Sequence, residues 1–136
     1  MRNFMRILVC VLSITALAPA LALAQMPVVQ TANGIQYLNG GMGTEEREAI
    51  RCDFPLKLEF ANTGGGYISM VTVRIFDSTG NKIFDIVANN GPWLFVKLPA
   101  GRYGVEAVFR GIEKKLDVDI RGREDRKVFT IEWPAR

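Results

Sequence analysis

The chain reads as an all-β protein: seven antiparallel strands in two packed sheets, one short helix ahead of them, and a signal peptide ahead of that. Three observations carry this reading. From Leu56 onward apolar and polar residues alternate, which is the period of a strand with one dry face. The alternating runs are joined by short connections rich in Gly, Asn, Asp and Pro, too short to hold crossover helices. Between two such runs lies Leu98-Pro99-Ala100-Gly101-Arg102-Tyr103. Pro99 suits the second place of a type I turn and Gly101 the fourth, so this corner sets the register of two strands at once.

The N-terminus reads as a leader. Arg2 and Arg6 precede an apolar run, Ile7 to Leu23, that contains Pro19 and ends in Ala22-Leu23-Ala24, a small-x-small cleavage site. A membrane span needs about 20 apolar residues, and this run is shorter. Cys10 stands too early to be a lipid-attachment cysteine. Three parts follow: signal peptide 1–24, a lead segment 25–55, and a β-sandwich 56–136. The protein is expected to be exported, to the periplasm or beyond, with no membrane span left after cleavage.

The leader holds two of the 17 basic residues and none of the 14 acidic ones, so the remainder lies close to neutral. A near-neutral chain has no long-range field to draw in nucleic acid. Cys52 is the one cysteine beyond the leader, so packing alone must hold the domain. The thiol reads as half-buried and inert.

In the lead segment, Gln25 to Asn39 is weakly periodic. It offers at most one edge strand, interrupted by Asn33-Gly34 and Asn39-Gly40, and is expected to be partly ordered at best. Gly40-Gly41-Met42-Gly43 reads as a hinge. Thr44 to Arg51 reads as a helix capped by Thr44, with glutamates in its first turn and Arg51 in its last. It is expected to pack on the sandwich through Ala49 and Ile50, as a lid over an open end or edge. The strands follow as Leu56 to Phe60, Val71 to Ile75, Ile83 to Val87, Trp93 to Leu98, Tyr103 to Phe109, Ile112 to Ile120 and Val128 to Trp133. Asp77-Ser78-Thr79-Gly80-Asn81 is a type I turn plus glycine hairpin. With each strand half wet, two sheets packed dry face to dry face satisfy them all.

The pattern Leu98-Pro99-x-Gly101-x-Tyr103, preceded by Asp77-x-x-Gly80 and followed by Gly111, resembles the carboxypeptidase regulatory-like domain. The resemblance covers about Leu56 to Trp133. It implies an Ig-like, prealbumin-like sandwich, related to the repeats of bacterial collagen adhesins, that carries no catalytic residues and serves in folding, positioning or binding. Adhesin repeats often form a Lys–Asn isopeptide bond with an inward acid four residues after the corner tyrosine. Here that place is Ala107, Glu106 and Lys57 alternate outward, and the last strand has no Asn. The bond is therefore not expected.

The chain has no histidine, which removes the commonest general base and metal ligand. Asp117 and Asp119 lie two apart on one strand and read as a solvated face rather than as a catalytic pair or a calcium site. Arg121, Arg123, Arg126 and Lys127 are interleaved with Glu124 and Asp125, which reads as a soluble turn. No cofactor and no metal are implied. Aromatic residues are the binding candidates: Tyr67 after the glycines 64–66, and Trp93 and Trp133 as a platform, with core packing the competing role for both tryptophans. Three functions stay open. A non-enzymatic module that binds a protein or envelope partner calls for an exposed apolar patch. A small-ligand or carbohydrate module calls for Tyr67 or Trp93 beside polar groups in a concavity. An enzyme calls for convergent titratable groups in a cleft.

Overall fold

A computed structural model describes residues 26–122 and 124–135; the signal-peptide reading falls on residues outside these. Nine strands form among the described residues, not seven. The two additional ones are β1 (Gln30–Ala32) and β2 (Ile35–Gly40), in the segment expected to be partly ordered and to offer at most one edge strand. The reason lies in the dipeptide read as an interruption. Asn33 and Gly34 take φ values of 49° and 77°, the left-handed pair that a two-residue hairpin turn requires. Asn39-Gly40 does not interrupt β2 either; the two are its last residues.

Helix α1 is shorter than expected, Thr44–Ala49. Thr44 does not cap it. Gly43 holds the cap position, and the Glu46 carboxylate accepts the Met42 N–H at 3.1 Å. Arg51 does serve the C-terminus, donating to the carbonyls of Glu48 (2.7 Å) and Ile50 (3.0 Å).

The seven expected runs appear as β3 (Leu56–Asn62), β4 (Val71–Phe76), β5 (Lys82–Ala88), β6 (Trp93–Val96), β7 (Gly101–Phe109), β8 (Ile112–Ile120) and β9 (Lys127–Trp133). They assort into a five-stranded sheet, β1-β2-β6-β3-β9, and a four-stranded sheet, β5-β4-β7-β8. One pairing departs from the antiparallel expectation. β3 and β9 run parallel, from Leu56 opposite Lys127 to Asn62 opposite Trp133. Parallel neighbours need a long connection, and here the four-stranded sheet together with β6 supplies it.

One core lies between the sheets. Leu56, Leu58, Phe60 and Trp133 from the larger sheet meet Val71, Val73, Ile75 and Val105 from the smaller. Each large apolar side chain so buried contributes roughly 1.5–3 kcal/mol. At the corner, the Tyr103 hydroxyl donates to the Pro99 carbonyl at 2.7 Å and ties the turn to its strand.

A second, smaller cluster lies on the outer face of the larger sheet. Leu38 of β2 and Phe95 of β6 are register partners there. Ile50 covers them, with Cys52, Phe54 and Trp93 around it. The expected packing of Ile50 is thus present, but on a sheet face rather than over an end, and Ala49 is exposed.

Candidate functional site

The three aromatic candidates have three different environments. Trp133 leaves the candidate surface. It is 1% exposed, its Nε1–H donates to the Ile112 carbonyl at 2.9 Å, and its ring meets Phe60 and Phe109. It is a core side chain because position 133 falls on the inward side of β9, with Ile131.

Trp93 is half-buried on the outer face of the larger sheet. The Lys57 ammonium stands 3.5 Å from its ring centroid, and Phe95 meets it edge-on at 6.2 Å. Gly41 lies so close that a β-carbon there would stand 3.2 Å from Trp93 Cγ and 3.3 Å from Arg47 Cγ. The Trp93 Nε1–H is buried without a partner among the described residues, which costs roughly 1–3 kcal/mol. Ring contacts, not its polar edge, hold this residue. It clamps the Gly40–Gly43 stretch to the sheet and offers no open platform.

Tyr67 is 53% exposed. It pairs with Ala61 in an isolated antiparallel bridge beyond the start of β6, and the Arg47 guanidinium lies 4.5 Å over its ring. Arg47 is fixed by the Gly41 carbonyl (2.8 Å) and the Thr44 hydroxyl (3.2 Å).

Tyr67 belongs to a larger grouping that the sequence reading missed. Eight large hydrophobic side chains are exposed among the described residues. Six of them, Met26, Val28, Val29, Met42, Tyr67 and Met70, sit on segments at one end of the molecule. There β2 ends and β6 begins, β3 ends and β4 begins. Pro27 lies against Gly40, and Met70 donates its N–H to the Ala88 carbonyl. A hollow of about 290 Å³ lined by Met26, Pro27, Val28, Gln30, Glu46 and Asn90 opens beside them. Methionine is the adaptable apolar side chain of binding surfaces. Methionines spaced far apart in the sequence gave no periodic signal, so only the topology gathers them.

The frame beneath this end is stiff. Asn39, 4% exposed, donates from Nδ2 to the carbonyls of Gly91 (2.9 Å) and Trp93 (2.8 Å), and its Oδ1 accepts the Asn90 N–H at 2.7 Å. These bonds all reach Asn90, Gly91 and Trp93, the turn and the start of β6, which explains why a polar residue occupies a buried strand position.

Three titratable groups among the described residues depart from their ordinary range. Burial pushes the Cys52 thiol up, opposed by the Phe54 N–H and by Arg126. The Asp77 carboxyl is held down by the Thr79 hydroxyl and the Asn81 N–H, within its own hairpin turn. Burial, then Asp77, raises the Tyr103 phenol. Asp77 and Tyr103 are neighbours that line one hollow, while Cys52 lies apart, in the outer cluster of the larger sheet. Among the described residues no group of three or more Cys, Asp or Glu side chains is placed to hold a metal ion, and no helix is long and apolar enough to cross a membrane.

The sheet faces also carry hollows. One of about 570 Å³ lies at the corner, between Gly34, Pro55, Lys97 and Pro99. Another of about 730 Å³ lies on the outer face of the smaller sheet, around Gly104, and includes Asp117 and Asp119. No protein-family model matches the chain, and no curated protein matches it closely enough to count as a relative.

Proposed function

We propose that the chain is a non-catalytic, exported binding module on a prealbumin-like sandwich of the carboxypeptidase regulatory-like kind. It contacts a protein or cell-envelope partner through its apolar end. The observation that carries this reading is the gathering of Met26, Val28, Val29, Met42, Tyr67 and Met70, exposed, at one end of the sheets. Exposed apolar groups scattered singly need no explanation, whereas several gathered at one end of the sheets call for one. Three of them are methionines, and the Arg47 guanidinium over Tyr67 adds a pre-oriented cation. The Asn39 bonds hold the underlying turn in place before any partner arrives, which lowers the ordering cost of binding.

The test is site-specific photocrosslinking in the native envelope. A photoreactive residue at Met70 is expected to give a discrete adduct, and one at Lys115, on the far charged face, none. Met42→Glu should diminish the Met70 adduct. Equal adducts from both positions, or none from Met70, would remove the reading.

A second reading, a small-ligand or carbohydrate module, no longer rests on Trp93 or Trp133, whose rings are occupied. One observation favours it elsewhere: the open hollow around Gly104.

A further inference from the structure

We infer that the hollow around Gly104 is a binding site for a neutral polyhydroxy ligand, a hexose unit of an oligosaccharide. This deepens the second reading above and is independent of the apolar end. The outer face of the smaller sheet is a grid of side chains in rows across its strands. One row runs Asp85, Arg74, Glu106, Lys115, and it closes on itself. Arg74 meets Asp85 at 3.8 Å, and Lys115 meets Glu106 at 3.6 Å. Two residues along β7, the row runs Phe76, Gly104, Asp117. The middle side chain is missing, and no described residue stands within 4 Å of where its β-carbon would be. The gap is the hollow of about 730 Å³, within the roughly 300–1,000 Å³ of small-ligand sites.

The groups around this gap differ from those of the closed row. Arg102 stands opposite Asp119 in register, yet Asp119 turns to Arg121 at 3.5 Å. Among the described residues Arg102 and Asp117 make no ion pair. The gap therefore holds a five-donor guanidinium and a carboxylate acceptor, both facing solvent, with the Phe76 side chain as an apolar wall. A cation would meet Arg102 there, and an anion would meet the aspartates. A neutral diol suits both, because each hydroxyl donates to a carboxylate and accepts from a guanidinium. The C–H face of a sugar ring suits the aromatic wall. Gly104 lets that ring reach the sheet.

Gly104→Leu tests this without disturbing the fold, since open space surrounds the position and its backbone needs no left-handed angle. The full chain, with ¹⁵N label, is titrated with cellotetraose, chitotetraose and maltotetraose, and separately with spermidine. At least one tetrasaccharide is expected to shift the amides of Phe76, Gly104 and Asp117. Gly104→Leu should weaken that binding by about tenfold or more, Asp117→Asn should weaken it less, and Tyr67→Ala should leave it unchanged. Shifts with spermidine alone, no shift with any tetrasaccharide, or sugar shifts that persist in Gly104→Leu would each overturn the assignment. A sugar shift lost in Tyr67→Ala would overturn it too, and would point to the apolar end instead.

Discussion

The two sheets share one core but have opposite outer faces. On the larger sheet, Leu38, Phe95 and Trp93 lie under a cover of chain formed by Ile50, Cys52 and Phe54. On the smaller, Arg74, Asp85, Glu106 and Lys115 stand in one ion-paired row open to solvent. The difference teaches that a face's wetness is set by what the chain lays across it, not by the sheet itself. It also explains β6. Trp93-Leu94-Phe95-Val96 is a continuous apolar run because the strand is dry on both sides, with Leu94 and Val96 in the core and Phe95 under Ile50.

The largest expected effect breaks the cover at its root. Gly91, at φ 147°, lies so near β2 that a β-carbon would stand 2.3 Å from the Gly40 carbonyl oxygen. Backbone cannot give way as a side-chain tip does. Gly91→Ala is expected to cost about 4 kcal/mol in a urea melt. A loss below about 1 kcal/mol would mean that the turn slides freely and that the Asn39 bonds do not pin it. Next comes Ile50→Asp, which puts an unpaired charge against Leu38 and Phe95. It should cost about 3 kcal/mol and lower the melting temperature, while Ala49→Asp, one residue away and exposed, should change little. Equal effects would show that the outer cluster is not a packed layer.

The contrast between the faces also sorts what the sequence discloses. Strands of the smaller sheet were legible, because Val71, Val73 and Ile75 alternate with Thr72 and Arg74, and one face is wet. β1 and β2 were not, because Asn33-Gly34 is equally a hairpin turn and a chain break, and only a partner strand decides. Asn39 looked like a breaker because its buried partners, Gly91 and Trp93, are more than fifty residues away. The parallel β3–β9 pair is likewise a long-range fact with no local mark. Of the candidate surface, Tyr67 was legible from its glycine-flanked loop. Trp93 and Trp133 were ambiguous because a tryptophan in an alternating run serves core or platform equally. Gly104 was the one available signal for the hollow, a glycine at an outward position of an otherwise regular strand.

Cys52 reports the cover from within. Its thiol is raised above the ordinary 9.0, chiefly by burial. The fold thus favours the neutral form, so this contribution to stability is intact below pH 9.0 and is lost as pH rises through the folded value. Alkylation by iodoacetamide should show a pH–rate midpoint above 9.0 in the native protein and a fall towards 9.0 in urea. Cys52→Ser should remove part of the alkaline loss of stability while costing about 1 kcal/mol at neutral pH. A native midpoint below 9.0 would mean that Ile50 and Phe54 do not shield the thiol.

The smallest effect compares one ion pair on each outer face. Lys57 and Glu59 meet at 2.8 Å on the larger sheet, with side chains 14% and 23% exposed, and the same ammonium caps Trp93. Lys115 and Glu106 meet at 3.6 Å on the smaller sheet, and that lysine is 68% exposed. Solvent screens the second pair, and holding the long side chain in place offsets most of its attraction. Double-mutant cycles should give a coupling of about 1 kcal/mol for Lys57 with Glu59 and about 0.2 kcal/mol for Lys115 with Glu106. Half-molar salt should erase the second and leave most of the first, since Trp93 and Phe95 exclude ions from one side of the Lys57 ammonium. Equal couplings with equal salt dependence would place both faces in the same solvent and make the cover over the larger sheet an open one.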